Sequence, residues 1–167
     1  FTIASALACP ETPHVQCCLV YTVSPVHTNQ TFVDLAVELE EMGVHSICIK
    51  DMSGLLKPYV AEDLVKKLKA AVSVPIELHT HCTSGFGSMT YLKAIEAGVD
   101  IIDCALSPFA NDTSQPCTET IVAALEGEAR DTGLDRKAMT PIAKHFLGVK
   151  KEIIDEFKLK GYFAVNP

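Results

Sequence analysis

Four short apolar runs, rich in β-branched residues, alternate along the chain with stretches of helical periodicity. No other feature narrows the fold as much. The first run covers residues 15–23, where Cys17, Cys18, Leu19 and Val20 are nearly continuous. After it, Phe32, Leu35, Ala36, Leu39 and Met42 recur at the three- and four-residue spacing of one helix face, and Gly43 stands where a helix C-terminal glycine belongs. The second strand is expected over 44–50. Pro58 then opens a helix with Leu64, Val65 and Leu68 inward and Lys66, Lys67 and Lys69 outward. A third strand over 74–81 precedes a helix that carries Met89, Leu92 and Ile95 and ends at Gly98. The fourth, over 99–105, leads through a loop to Pro116, a good first residue for a helix running past Ile121 and Leu125 to Gly127.

Glu41-Met42-Gly43-Val44 is echoed by Glu96-Ala97-Gly98-Val99, with Ile47 and Ile102 following at the same offset. The two glycines lie about two β-α units apart. Apolar strands separated by helices should pair in parallel, with both faces buried. Two architectures accept such units, an open doubly wound sheet and half of an eight-stranded barrel. The open sheet calls for a glycine-rich phosphate turn after its first strand. Thr22-Val23-Ser24-Pro25 lacks it, and Gly85-Phe86-Gly87 is too short and too late. Polar residues gather instead at the C-terminal ends of strands, where barrel enzymes keep their chemistry. The expectation is therefore an α/β chain forming the second half of a (β/α)8 barrel as four βα units over 1–130. Residues 131–167 add a C-terminal helical extension, with polar helical material over 142–157 and then an extended tail.

The chain has 167 residues, 48% apolar and 7% aromatic with no Trp, which suits many aliphatic helix-on-sheet contacts. A net charge of −7 without a Lys/Arg block argues against nucleic-acid binding. Seven scattered cysteines with no C-x-x-C fit neither a disulfide framework nor a zinc knuckle. Most read as small core hydrophobes in a reducing compartment. No run reaches transmembrane length and no signal peptide is evident. The chain is expected to be cytoplasmic, without direct membrane insertion. Its start at Phe1, without Met, reads as a fragment or a processed product.

His79 and His81 form H-x-H at the end of a strand. With period-two alternation both imidazoles point to one side, roughly 6.6–7 Å apart at Cα, within reach of a single metal ion. Lys50 ends the preceding strand. An unpaired buried ammonium there would be costly. Each feature also has a plain reading: H-x-H as merely polar, Lys50 as a solvated rim residue or salt-bridge partner. An ammonium cannot ligate a metal, whereas a lysine carbamate can.

Several longer motifs carry a resemblance: Cys48-Ile49-Lys50-Asp51-Met52-Ser53-Gly54 through Pro58, Leu78-His79-Thr80-His81 through Gly85, Ala94 through Asp100, and Thr113-Ser114-Gln115-Pro116. These resemble the biotin-dependent carboxyltransferases: the carboxyltransferase domain of pyruvate carboxylase, the transcarboxylase large-substrate subunit and the alpha subunit of oxaloacetate decarboxylase. Tyr21-Thr22-Val23-Ser24-Pro25-Val26-His27 is more similar to the decarboxylase and transcarboxylase branch. The resemblance implies carboxyl transfer between a 2-oxo acid such as oxaloacetate or pyruvate and biotin, in the manner of an oxaloacetate decarboxylase alpha subunit. It also implies a carbamylated, metal-bridging Lys50, His79 and His81 as metal ligands, and Thr113 as a proton carrier between enolate and biotin. The metal would be zinc, manganese or cobalt, and biotin would ride on another domain or subunit.

In that family an Asp metal ligand, a nearby Gln and a substrate-binding Arg come from segments this sequence lacks, as does the biotin carrier. The expected partners are therefore the other half of the barrel or another copy of this chain, a biotin carrier domain, and a homo-oligomer. Alone, the chain is expected to be incomplete and inactive. Cys82 reads as structural, and His14, His27, His45 and His145 as surface or core histidines. Asp51 is left between orienting Lys50 and binding a backbone amide. The alternatives are a lyase or aldolase of the related H-x-H barrels, which do not use the strand-end lysine, and a non-catalytic half-barrel.

Overall fold

A computed structural model describes residues 3–9, 11 and 14–159. The chain runs α1 (Ile3–Leu7), β1 (Gln16–Val20), α2 (Asn29–Glu41), β2 (Ser46–Asp51), α3 (Pro58–Ala71), β3 (Ile76–Thr80), α4 (Gly87–Glu96), β4 (Ile101–Ile102), a 3-10 turn (Ser107–Phe109), α5 (Thr118–Leu125) and α6 (Arg136–Phe157). The strands form one parallel sheet in the order β1-β2-β3-β4. A doubly wound sheet reverses its order at a switch point. Here each strand is followed by its immediate neighbour. Right-handed crossovers of that kind place α2, α3 and α4 side by side on one face, as in a barrel wall.

The repeated Glu-x-Gly-Val segment closes two helices in the same way. Val44 N–H donates to the Leu39 carbonyl and Gly43 N–H to Glu40; Val99 N–H donates to Ala94 and Gly98 N–H to Ile95. This is the hydrogen-bond pair of a Schellman cap, whose C′ residue must be left-handed. Gly43 and Gly98 have φ of 91° and 98°, and the valines that follow are buried. The echo therefore delivers the chain from the end of one helix into the next strand.

On the helix-covered face, Leu19, Ile49 and Leu78 align across three strands, with Ile47 and Ile76 one register step away. They bury against Leu64, Val65 and Leu68 of α3 and Phe32 and Ala36 of α2. Burial of both sheet faces was expected. In the described residues the second face carries Cys18, Val20, Cys48, Lys50, Glu77 and His79; it is buried at Cys48 in the middle of the sheet but open along β1, where Val20 is 55% exposed. In a barrel this face lines the interior.

Two helix faces match expectation only in part: Phe32, Ala36 and Ile95 are buried as expected. In α2, Val33 is buried whereas Leu35 and Met42 are exposed; in α4, Thr90 and Tyr91 are buried whereas Met89 and Leu92 are exposed. Periodicity alone cannot separate a core stripe from the one beside it, which in α4 borders Ile121 and Leu125 of α5. The fourth strand is shorter than expected because the chain leaves β3 after Ile102. Ala105 forms a parallel bridge with Cys117 instead, its N–H donating to Pro116 O while Thr118 N–H donates back to Ala105 O. Pro116 thus precedes α5 rather than opening it. Helix α6 rests on the 3-10 turn through Lys150 Nζ donating to Pro108 O at 2.6 Å and an edge contact of Phe146 on Phe109. The tail expected beyond 159 lies outside the described residues. Among those described, no helix is long and apolar enough to cross a membrane.

Candidate functional site

Parallel pairing brings Lys50 and His79 into register on neighbouring strands, with their side chains on the open face at the C-terminal end of the sheet. His81 lies two residues beyond His79. Its N–H donates to the Asp51 carbonyl, which extends the β2–β3 ladder past the last strand residue. Lys50 Nζ has no hydrogen bond or ion pair among the described residues.

Each histidine is oriented through Nδ1. His79 Nδ1 lies 2.8 Å from Asp103 Oδ2, and His81 Nδ1 bonds the Thr113 carbonyl. A carbonyl and a carboxylate accept, so each Nδ1 carries the hydrogen, the tautomer in which an imidazole's lone pair lies on Nε2. The two Nε2 atoms face each other 3.1 Å apart, and the Gln115 side-chain amide lies 3.2 Å from His79 Nε2 and 3.0 Å from His81 Nε2. Two lone pairs converging in this way repel unless a donor or a cation lies between them. Two nitrogens bound at about 2.0–2.1 Å to one ion are separated by roughly 2.9–3.4 Å for angles between octahedral and tetrahedral. The donor set therefore fits a divalent ion, with both outer nitrogens held as metal-binding histidines require. Among the described residues no group of three or more His, Cys, Asp or Glu side chains could hold a metal by itself. The two histidines need Lys50 or groups from elsewhere to complete a site.

The scaffold beneath is built from buried polar contacts. Asp51 is fully buried; its carboxylate accepts from Leu55 N–H at 3.0 Å, Leu56 N–H at 2.9 Å and the Thr80 hydroxyl at 2.7 Å. It binds backbone amides, one of the two roles open from the sequence. Tyr91, also fully buried, accepts from Thr80 N–H at 3.1 Å and donates to the Asp103 carbonyl. Burial pushes its phenol well above the usual tyrosine range. The loop carrying Thr113 docks on β3 through Cys82 N–H to Ser114 O, and turns through Asn111 and Asp112 at φ 67° and 50°. Asn and Asp are the non-glycine residues that best tolerate that region.

Sequence reasoning placed Lys50, His79 and His81 together, and the structure gathers them. It missed Asp103 and Gln115. Thr113 enters through its backbone carbonyl; its side chain is exposed, and its hydroxyl has no hydrogen-bond partner among the described residues. Cys82 is buried, and burial followed by the nearby Asp112 charge pushes its thiol up to about 11, which suits an inert core residue. His45 accepts from Val15 N–H, and His14 bonds Ser46, both at the opposite end of the sheet.

The sequence profile of the HMGL-like family matches residues 19–145, which span the end of β1, the other three strands and the site. The chain belongs to the HMGL-like family. Within it, the chain is 58% identical over 138 residues to a pyruvate carboxylase subunit of Methanocaldococcus jannaschii, covering 83% of this chain and 24% of that protein. It is 40% identical over 139 residues to the methylmalonyl-CoA carboxyltransferase 5S subunit of Propionibacterium freudenreichii, covering 82% of this chain and 28% of that one. The carboxyl transferase domain of Rhizobium etli pyruvate carboxylase, solved with pyruvate, superposes with a TM-score of 0.78 at 43% identity over 80% of this chain and 24% of its own. The chain thus spans about a quarter of the length of these relatives. The resemblance to biotin-dependent carboxyltransferases holds, and the four-stranded sheet is part of a carboxyltransferase barrel.

Proposed function

We propose that the protein to which this chain belongs transfers a carboxyl group between a small 2-oxo acid and biotin, at a divalent metal held by His79, His81 and a carbamylated Lys50. The observation that carries this reading is the convergence of the two Nε2 lone pairs beside Lys50, in a chain so similar to pyruvate carboxylases. When bound, a zinc, manganese or cobalt ion would act as a Lewis acid on the 2-oxo group. The protein's own part is to hold both imidazoles in one tautomer through Asp103 and the Thr113 carbonyl, and to offer Lys50 beside them. Thr113 is supported as a positioning residue acting through His81. The proton relay implied by the sequence resemblance would need its exposed hydroxyl to find partners on substrate and biotin.

The partners of this reading are a biotin carrier domain and strands that pair with the open edges of β1 and β4, from the rest of the barrel or a second copy. Free thiols at Cys17, Cys18, Cys48, Cys82, Cys104 and Cys117 accord with a cytoplasmic location. The finer assignment, an oxaloacetate decarboxylase alpha-like direction of transfer, rests on the Tyr21–His27 segment; the high identity to the archaeal pyruvate carboxylase subunit favours pyruvate carboxylation. Assaying the full-length protein with free biotin distinguishes them, by oxaloacetate decarboxylation in one direction and carboxylation of pyruvate by a carboxybiotin donor in the other. Lys50→Ala should abolish both. Turnover that survives Lys50→Ala, or that is independent of biotin, contradicts the proposal.

A further inference from the structure

Among the described residues, Gln115 is the one polar side chain that touches both metal-facing nitrogens. Because each Nδ1 already donates, to Asp103 or to the Thr113 carbonyl, the only groups the two Nε2 atoms can accept are donors. The Gln115 amide nitrogen carries two hydrogens and lies within hydrogen-bond distance of both acceptors. One N–H to each ring satisfies both lone pairs at once. These are the same lone pairs a metal ion takes, so the amide and the ion cannot hold them together.

We propose that the Gln115 carboxamide competes with the metal: it closes the histidine pair in the metal-free protein and must swing away for the ion to bind. The inference rests on the reading of His79 and His81 as metal ligands. Gln115 is suited to such a swing. Its loop turns through two left-handed residues, and its backbone carbonyl is held separately, accepting from Asn111 N–H at 2.8 Å. Its amide oxygen accepts only a long bond, 3.3 Å from the Ser114 hydroxyl, so the side chain can leave without moving the loop that supplies the Thr113 carbonyl. The consequence is a site kept ordered without metal, with a weaker and slower uptake of the ion than the two imidazoles alone would give.

The test is zinc affinity and uptake rate in the full-length protein, by chelator competition, for wild type, Gln115→Ala and Gln115→Met. Methionine keeps the length of the side chain but cannot donate, and so covers the case in which alanine disturbs the loop. Losing two hydrogen bonds from the metal-free state should tighten zinc binding by about tenfold in both variants and speed its uptake. Imidazole nitrogen NMR of the metal-free protein should show both Nε2 signals moving on substitution. Zinc binding that is unchanged in both variants overturns the proposal. Weaker binding also overturns it, and would instead make Gln115 a ligand through its oxygen. His79→Ala separates the competition from the metal site itself. If it loses zinc while the Gln115 variants match wild type, only the competition fails; if it binds zinc as wild type does, the metal reading fails and this inference with it.

Discussion

Gly54 lies directly against the His81 carbonyl: a Cβ at Gly54 would stand 2.6 Å from that oxygen, with the Thr83 and Ser84 amides at 3.3 Å. The contact joins the loop after β2 to the loop after β3, and Ser84 Oγ donates to the Gly54 carbonyl across the same seam. Gly54 also has φ of 66°, which a side chain tolerates poorly. Gly54→Ala should therefore cost about 1–2 kcal/mol from backbone strain alone and displace His81 as well. Thermal unfolding and metal titration check it together. A variant with wild-type stability and metal affinity would show that the two loops adjust freely.

Tyr91→Phe removes one hydroxyl and leaves the Thr80 amide and the Asp103 carbonyl without that partner in the interior. A buried group so stranded costs about 1–3 kcal/mol. Denaturant unfolding should show that loss with an unchanged m-value. A loss under about 0.5 kcal/mol would mean water replaces the hydroxyl.

Much of the architecture was legible because it rests on periodicity and on glycine chemistry. Gly43 and Gly98 mark helix ends through a conformation few other residues adopt, and the apolar runs that hold Ile47, Ile49, Ile76 and Leu78 mark the strands between the helices. The helix faces were harder. Leu35 and Met89 are as apolar as Val33 and Tyr91, and only the packing of neighbouring helices decides which stripe is covered. His79, His81 and Lys50 were legible from strand alternation. Asp103 and Gln115 were not, since each meets the histidines across more than twenty residues of chain. A signal existed for both: Asp103 interrupts the fourth apolar run, and Gln115 sits inside the Thr113–Pro116 motif.

Asp100 ties the start of β3 to α3, its Oδ2 accepting from Ile76 N–H at 2.8 Å and from Lys69 Nζ at 2.7 Å. Burial alone would raise its pKa, but the Ile76 amide and the Lys69 ammonium outweigh that and hold it below the ordinary aspartate value. A carboxylate depressed in the folded state stabilises above its unfolded pKa, about 3.9, and loses that contribution as pH falls through the folded value. Wild type should thus exceed Asp100→Asn in stability at neutral pH, with the gap closing below about pH 4. A gap independent of pH would assign the effect to packing.

Thr113→Ala keeps the carbonyl that orients His81. Its metal affinity should remain within about 0.5 kcal/mol of wild type, the usual range for a surface substitution away from special features. A clear loss of metal would place the side chain, not the carbonyl, in the site. Turnover falling by about 10²–10⁴-fold with metal intact would instead support the proton relay through the hydroxyl.

In the proposed site His79 and His81 present their Nε2 lone pairs to one divalent ion. Elemental analysis of the purified full-length protein, beside its His79→Ala and His81→Ala variants, tests it most directly. About one equivalent of zinc, manganese or cobalt is expected in wild type, with most of it lost in each single variant, since each removes a nitrogen ligand. Full metal content in both variants would contradict it.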